Sequence, residues 1–173
     1  CGLHLAMNSE WKWYRWAPVA PASEVPHMID KDGYLLDDTI ATALSAPASE
    51  IEIEIRAQLE RALSRGIRPS HIDTHMGTLY ARPDYTVAYC KVAEEYRIPA
   101  MVIEVSPKVE AKFHKRGIQG IEQLRKIIVG YKLPKLDDFD SIVEGDTYQA
   151  KVDKFYEQIR GLDPGITELI FHC

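Results

Sequence analysis

The sequence predicts an α/β fold built on a largely parallel sheet. Three observations carry that prediction. Strand-like and helix-like stretches alternate along the 173 residues, which is the pattern of strands joined by crossover helices. "AMVIEV" at 100–105 is a continuous apolar run, as expected of a strand buried on both faces. The length suits one domain with a sizeable core. A closed eight-stranded barrel takes about 250 residues, so the chain reads either as a small open sheet or as part of a (β/α) barrel.

"GLHLAM" at 2–7 is short, apolar and strand-like. Residues 8–48 read as irregular, with Pro18, Pro21, Pro26 and Pro47 and a turn at "DKDG", 30–33. A loop of that length in a compact domain is more often functional than idle. A helix follows. Ser49 and Glu52 have the spacing of a capping box, Ile55, Leu59, Ala62 and Leu63 recur at helical intervals, and Gly66 supplies a stop.

"HIDTHM" at 71–76 reads as the second strand. Pro83 opens the next helix from its favoured first turn, with a stripe of Tyr85, Ala88, Tyr89, Val92 and Tyr96, and Pro99 closes it. After "AMVIEV" come helical stretches near 108–116 and 120–131. A short strand is expected at "SIVEG", 141–145, then a helix over 147–160 stopped by Gly161, and a last strand at "ITELIF", 166–171.

Composition narrows the function. Net charge is −5 with no long basic run, which disfavours nucleic acid as a partner. No stretch of about 18 apolar residues is present to span a membrane, and no signal peptide precedes the first strand. The three cysteines are odd in number and irregularly spaced, which argues against a disulfide framework. The expectation is a cytoplasmic protein. The chain opens at Cys1-Gly2-Leu3-His4 and stops at Phe171-His172-Cys173; residues 1–173 are expected to be a single catalytic-type domain cut from a longer chain.

Active sites of parallel α/β folds lie at the carboxyl ends of the strands. His4 falls in the first strand, His75 at the end of the second and His172 at the end of the last. For each alone, a hydrogen-bonded histidine at a strand end is an equally good account; three on one rim argue for chemistry. In "HIDTH", the spacing of His71 and His75 would place both on one metal if the segment were helical. The alternation of Ile72, Thr74 and Met76 with His71, Asp73 and His75 favours a strand. There the two histidines lie about 13 Å apart, at roughly 3.3 Å per residue, too far for one ion. His75, nearer the carboxyl end, is then the ligand. Asp73 and His71 become supporting residues, Asp73 orienting a neighbouring ligand.

"EWKWYRW" at 10–16 sets four aromatic residues beside the first strand. It reads either as a wall for a hydroxylated ligand, with Arg15 and Trp16 in contact, or as a plug that pins the long loop. His27 and His114 are expected to be solvated, Cys90 semi-buried on its helix, Glu104 outside the site, and "DDFD" at 137–140 a solvated turn before a strand.

"GLHL", "SEWKWYRWAPV", "GIRPSHIDTHMG" and "GITELIFHC" together resemble segments of the YdjC-like carbohydrate deacetylases, which include the chito-oligosaccharide deacetylases. The resemblance runs over most of the chain in the family's order. It implies a (β/α) barrel-like fold and removal of acetyl groups from N-acetylated sugars or oligosaccharides with a divalent metal ion, zinc or magnesium. It also implies that the histidine of "GLHL", His4, and the second histidine of "HIDTH", His75, are metal ligands. The family's third ligand and its catalytic base belong to an Asp-Asp motif that would precede Cys1. His172 is the candidate for protonating the departing amine. A metal-dependent sugar isomerase or epimerase, using Glu104 and Glu168, and a silent carbohydrate-binding relative are the rival readings; a homodimer is left open.

Overall fold

The structure, a computed structural model, describes residues 1–115 and 120–171. Its chain divides into two compact units, Cys1–Met101 with Gly120–Pro134 and Val102–Gln119 with Lys135–Cys173. Strand pairings in both are parallel, as predicted, and do not by themselves close a barrel.

In the first unit, β1 (Gly2–Leu5) pairs with β2 (His71–Thr74) in the register Gly2↔His71, Leu3↔Ile72, His4↔Asp73 and Leu5↔Thr74. The far edge of β2 meets residues 99–101. Ile72 N–H donates to Pro99 O and Met101 N–H to Ile72 O, both at 2.8 Å. The strand predicted at "AMVIEV" is therefore reduced to single bridge pairs, Ile72↔Ala100 here and Ile103↔Leu136 in the second unit. Tyrosine hydroxyls complete the hydrogen bonding at that edge. Tyr89, fully buried, donates to Ile72 O at 2.6 Å, and Ala100 N–H donates to Tyr131 Oη at 2.7 Å. Burial pushes both phenols up, Tyr131 to about 12.

Two helices cover this sheet. α2 (Ala48–Ser64) buries Ile55, Leu59 and Ala62 of the predicted stripe, together with Ile51, while Leu63 is exposed. It packs on α3 (Pro83–Tyr96), which buries Tyr85, Ala88, Tyr89 and Val92. α5 (Ile121–Gly130) also packs on α3. Each fully buried Leu or Ile contributes about 1.5–3 kcal/mol of transfer free energy. The predicted capping box does not form. The helix begins one residue before Ser49, Pro47 takes the cap position, and Glu52 instead bonds Arg56 and Lys91.

One helix was not expected. α1 (Thr39–Ser45) starts from Asp38, whose Oδ1 accepts the Ala41 N–H at 2.7 Å. Its buried residue is Thr42, while Ile40 and Leu44 are 71% and 84% exposed, so apolar periodicity carries no trace of it. Tyr85 Oη closes its end by donating to Thr42 O and Ala46 O. The turn at 30–33 is present, with Gly33 N–H on Asp30 O at 3.1 Å and φ of 84°.

The second unit holds α4 (Pro107–Lys115), β3 (Asp138–Ser141), α6 (Tyr148–Arg160) and β4 (Thr167–Ile170), with β3 and β4 parallel. "DDFD" is thus not a solvated turn but most of a strand, and "SIVEG" begins where that strand ends. The reason is a buried ion pair: Asp138, 7% exposed, accepts from Lys112 Nζ at 2.7 Å and pairs with Lys108. Thr147 caps α6 by accepting the Ala150 N–H, and Gly161 closes it.

Candidate functional site

The parallel register sets His4 directly beside Asp73. Partners in register project to the same face of a sheet, and His4 Nδ1 lies 2.6 Å from Asp73 Oδ1. β2 stops at Thr74. His75 opens a 3₁₀ segment, His75–Tyr80, in which Met76 and Gly77 take left-handed conformations, φ 55° and 68°. Gly77 tolerates that backbone; Met76, as an L residue with a side chain, is strained there. The bend lifts the chain out of the sheet immediately after His75. Its ring turns edge-on to that of His4, with centroids 5.2 Å apart and His75 Nδ1 3.2 Å from His4 Nε2.

A fourth side chain joins from the loop after β1. Glu10 faces His75 Nε2 with both oxygens, at 2.9 and 2.8 Å. Burial pushes the Glu10 carboxyl up, but hydrogen bonds from His75, its own backbone N–H and Trp11 hold it below the usual carboxylate range. Trp16 stands against His75, ring centroids 6.0 Å apart, and Ser9 fixes it by accepting its backbone N–H at 3.0 Å.

His4, His75, Asp73 and Trp16 of the sequence-predicted residues are therefore neighbours, and Glu10 is the member that sequence reasoning missed. His71 sits differently. It is exposed at the start of β2, its Nδ1 is 3.0 Å from Ser70 Oγ, and its ring fills the space a Gly2 side chain would need. It is four residues of chain away from His75 and takes no part in the cluster. Arg15 is also redirected: its guanidinium donates to Leu35 O at 2.5 Å and pairs with Asp30 at 2.9 Å. These contacts tie Arg15 to the loop at Asp30 and Leu35. His172 lies outside the described residues. His27, expected to be solvated, is 61% exposed but bonds Glu50 Oε1 at 2.5 Å.

Two imidazole nitrogens 3.2 Å apart fit a single divalent ion, since ligands with bonds of about 2.0–2.1 Å lie within about 4 Å of each other. Imidazole suits zinc and its neighbours. Each ring has its outer nitrogen on a carboxylate, the arrangement that orients histidine ligands in metal sites. Among the described residues no group of three or more His, Cys, Asp and Glu side chains that could hold a metal ion is present.

A family model described as "YdjC-like protein" matches residues 1–173. A carbohydrate deacetylase of Thermus thermophilus is 35% identical over 99% of this chain and 60% of its own length. A carbohydrate deacetylase of Brevibacillus brevis is 35% identical over 57% of this chain and 36% of its own length. The chain thus spans at most about 60% of these two relatives. A crystal structure from Enterococcus faecalis V583, described as a cellobiose-phosphate cleavage protein, superposes with a TM-score of 0.71 at 19% identity, covering 99% of this chain and 59% of that one. At that identity the likeness is one of fold.

Proposed function

The chain belongs to the YdjC-like protein family, and we propose that it carries half of the active site of a metal-dependent hydrolase that removes acetyl groups from N-acetylated sugars or oligosaccharides. The observation that supports this reading best is the approach of His4 Nε2 to His75 Nδ1, with Asp73 and Glu10 on their outer nitrogens. A divalent ion such as zinc or magnesium held by His4 and His75 would polarise the acetyl carbonyl and lower the pKa of a bound water.

The chain's own residues do the rest. Asp73 and Glu10 hold the two imidazoles in place, and their negative charge favours a cation between the rings. Trp16 walls the cluster on the His75 side and offers an aromatic face to a sugar ring. Hydrolysis adds water across the amide: the hydroxyl goes to the acetyl carbon, the C–N bond breaks, and the nitrogen leaves as a free amine. A carboxylate is proposed to take the water proton, and His172 to deliver one to the amine.

The test is acetate release by the full-length protein from N-acetylated mono- and oligosaccharides, with zinc, magnesium, manganese and chelator in parallel. Metal-dependent acetate release is the expected result. No acetate from any of these substrates under any condition would sink the reading.

A further inference from the structure

Glu10 and Asp73 have different partners on the two rings, and the difference has a chemical consequence. An ionised carboxylate only accepts hydrogen bonds. Glu10 therefore draws the His75 proton to Nε2, which it faces at 2.8 and 2.9 Å. Asp73 draws the His4 proton to the opposite nitrogen, Nδ1, at 2.6 Å. The two inner nitrogens, His75 Nδ1 and His4 Nε2, then both present lone pairs across 3.2 Å. Two neutral rings in these tautomers cannot hydrogen-bond to each other there; a cation suits both.

We infer that Glu10 is a positioning residue: it selects the Nε2–H tautomer of His75 and so makes Nδ1 the atom that binds metal. The inference rests on the metal-dependent reading above. Its structural support extends beyond the one contact. Asn8, two residues before Glu10, is fully buried, and its Oδ1 accepts from Thr78 Oγ1 at 2.8 Å. Thr78 is fully buried in the turn that follows His75, and its Oγ1 lies 3.1 Å from His75 O. The loop that carries Glu10 and the turn that carries His75 are thereby tied to each other from beneath. Ser9, also fully buried, fixes the same loop through its N–H on Leu36 O at 2.8 Å. Glu10 thus meets His75 from a loop held by two buried anchors, Asn8 and Ser9.

The test uses full-length protein, metal-free and then titrated with zinc. Nitrogen-15 spectra of the metal-free wild type at pH 8 should show His75 protonated at Nε2 and bare at Nδ1. Glu10→Gln, which keeps the shape and removes the charge, should mix the tautomers and weaken zinc binding about 10–100-fold, with its thermal transition retained. Glu10→Asp should recover part of that affinity. A His75 proton on Nδ1 in the wild type, or zinc affinity of E10Q within twofold of wild type, would overturn the role of Glu10. Should E10Q fail to fold, the wild-type tautomer decides alone. Wild-type protein that shows the expected tautomer yet takes up no zinc or other divalent ion would overturn the proposed function instead.

Discussion

His4 and Asp73 are register partners across two parallel strands, and the 2.6 Å contact between His4 Nδ1 and Asp73 Oδ1 follows from that pairing. Asp73→Asn keeps the shape but removes the charge that holds the His4 proton on Nδ1. Zinc affinity should fall about 10–100-fold, read by calorimetric titration. The thermal midpoint should move little, because the His4 side chain is 54% exposed and exposed pairs contribute little stability.

The two histidines of "HIDTH" should separate cleanly. His75→Ala is expected to abolish uptake of an ion and with it acetate release. His71→Ala should keep both, because His71 lies at the other end of β2 beside Ser70. Metal content after dialysis, measured on both variants, checks this; equal loss in the two would place the ion elsewhere.

Leu59 is completely buried on α2, the helix that packs against α3 and β1. Leu59→Ala removes apolar contact and leaves a cavity, at a cost of about 2–5 kcal/mol. Urea unfolding of the variant should show a lower midpoint by the corresponding amount. Leu63→Ala on the same helix, at a position 37% exposed, should cost much less.

Asp138 gives the second unit an acid limit. Burial pushes its carboxyl up, but Lys112 and Lys108 outweigh that and hold it below the usual carboxylate range. A carboxyl with a lowered folded pKa stabilises the fold fully above its unfolded pKa, about 3.9, and loses that contribution as pH falls through the folded value. Stability should therefore decline as pH drops below about 4. Asp138→Asn should flatten that slope and be less stable than wild type at pH 7, because Lys112 and Lys108 lose the carboxylate they share. Urea midpoints taken from pH 3 to 7 test both statements.

Cys90 is 7% exposed on α3, and burial pushes its thiol up to about 12. Thiolate is the reactive form, so Cys90 should resist alkylation at pH 8 in the native protein and react once urea is added. Cys1 is exposed and should be modified first. Peptide mapping after timed alkylation gives the order.

Local pattern accounts for what could be read in advance. Helices α2, α3 and α6 announce themselves because one face of each repeats at the helical period or because Pro83, Thr147 and Gly161 stand at their ends. The separation of His71 from His75 needed only the rise of an extended chain. α1 escaped because its buried residue is a threonine, and β3 was displaced because Asp138 reads as a surface charge until Lys112 and Lys108 are brought to it.

The sequence by itself determined the α/β class and the family, since local patterns along the chain carry both. The tertiary structure alone decided that Asp73 meets His4, that Glu10 meets His75 from 65 positions away, and that Arg15 turns inward to Leu35 and Asp30. The reason is physical: strand register and buried hydrogen bonds choose among many distant partners, and a polar side chain shows no preference until burial has removed its alternative, water.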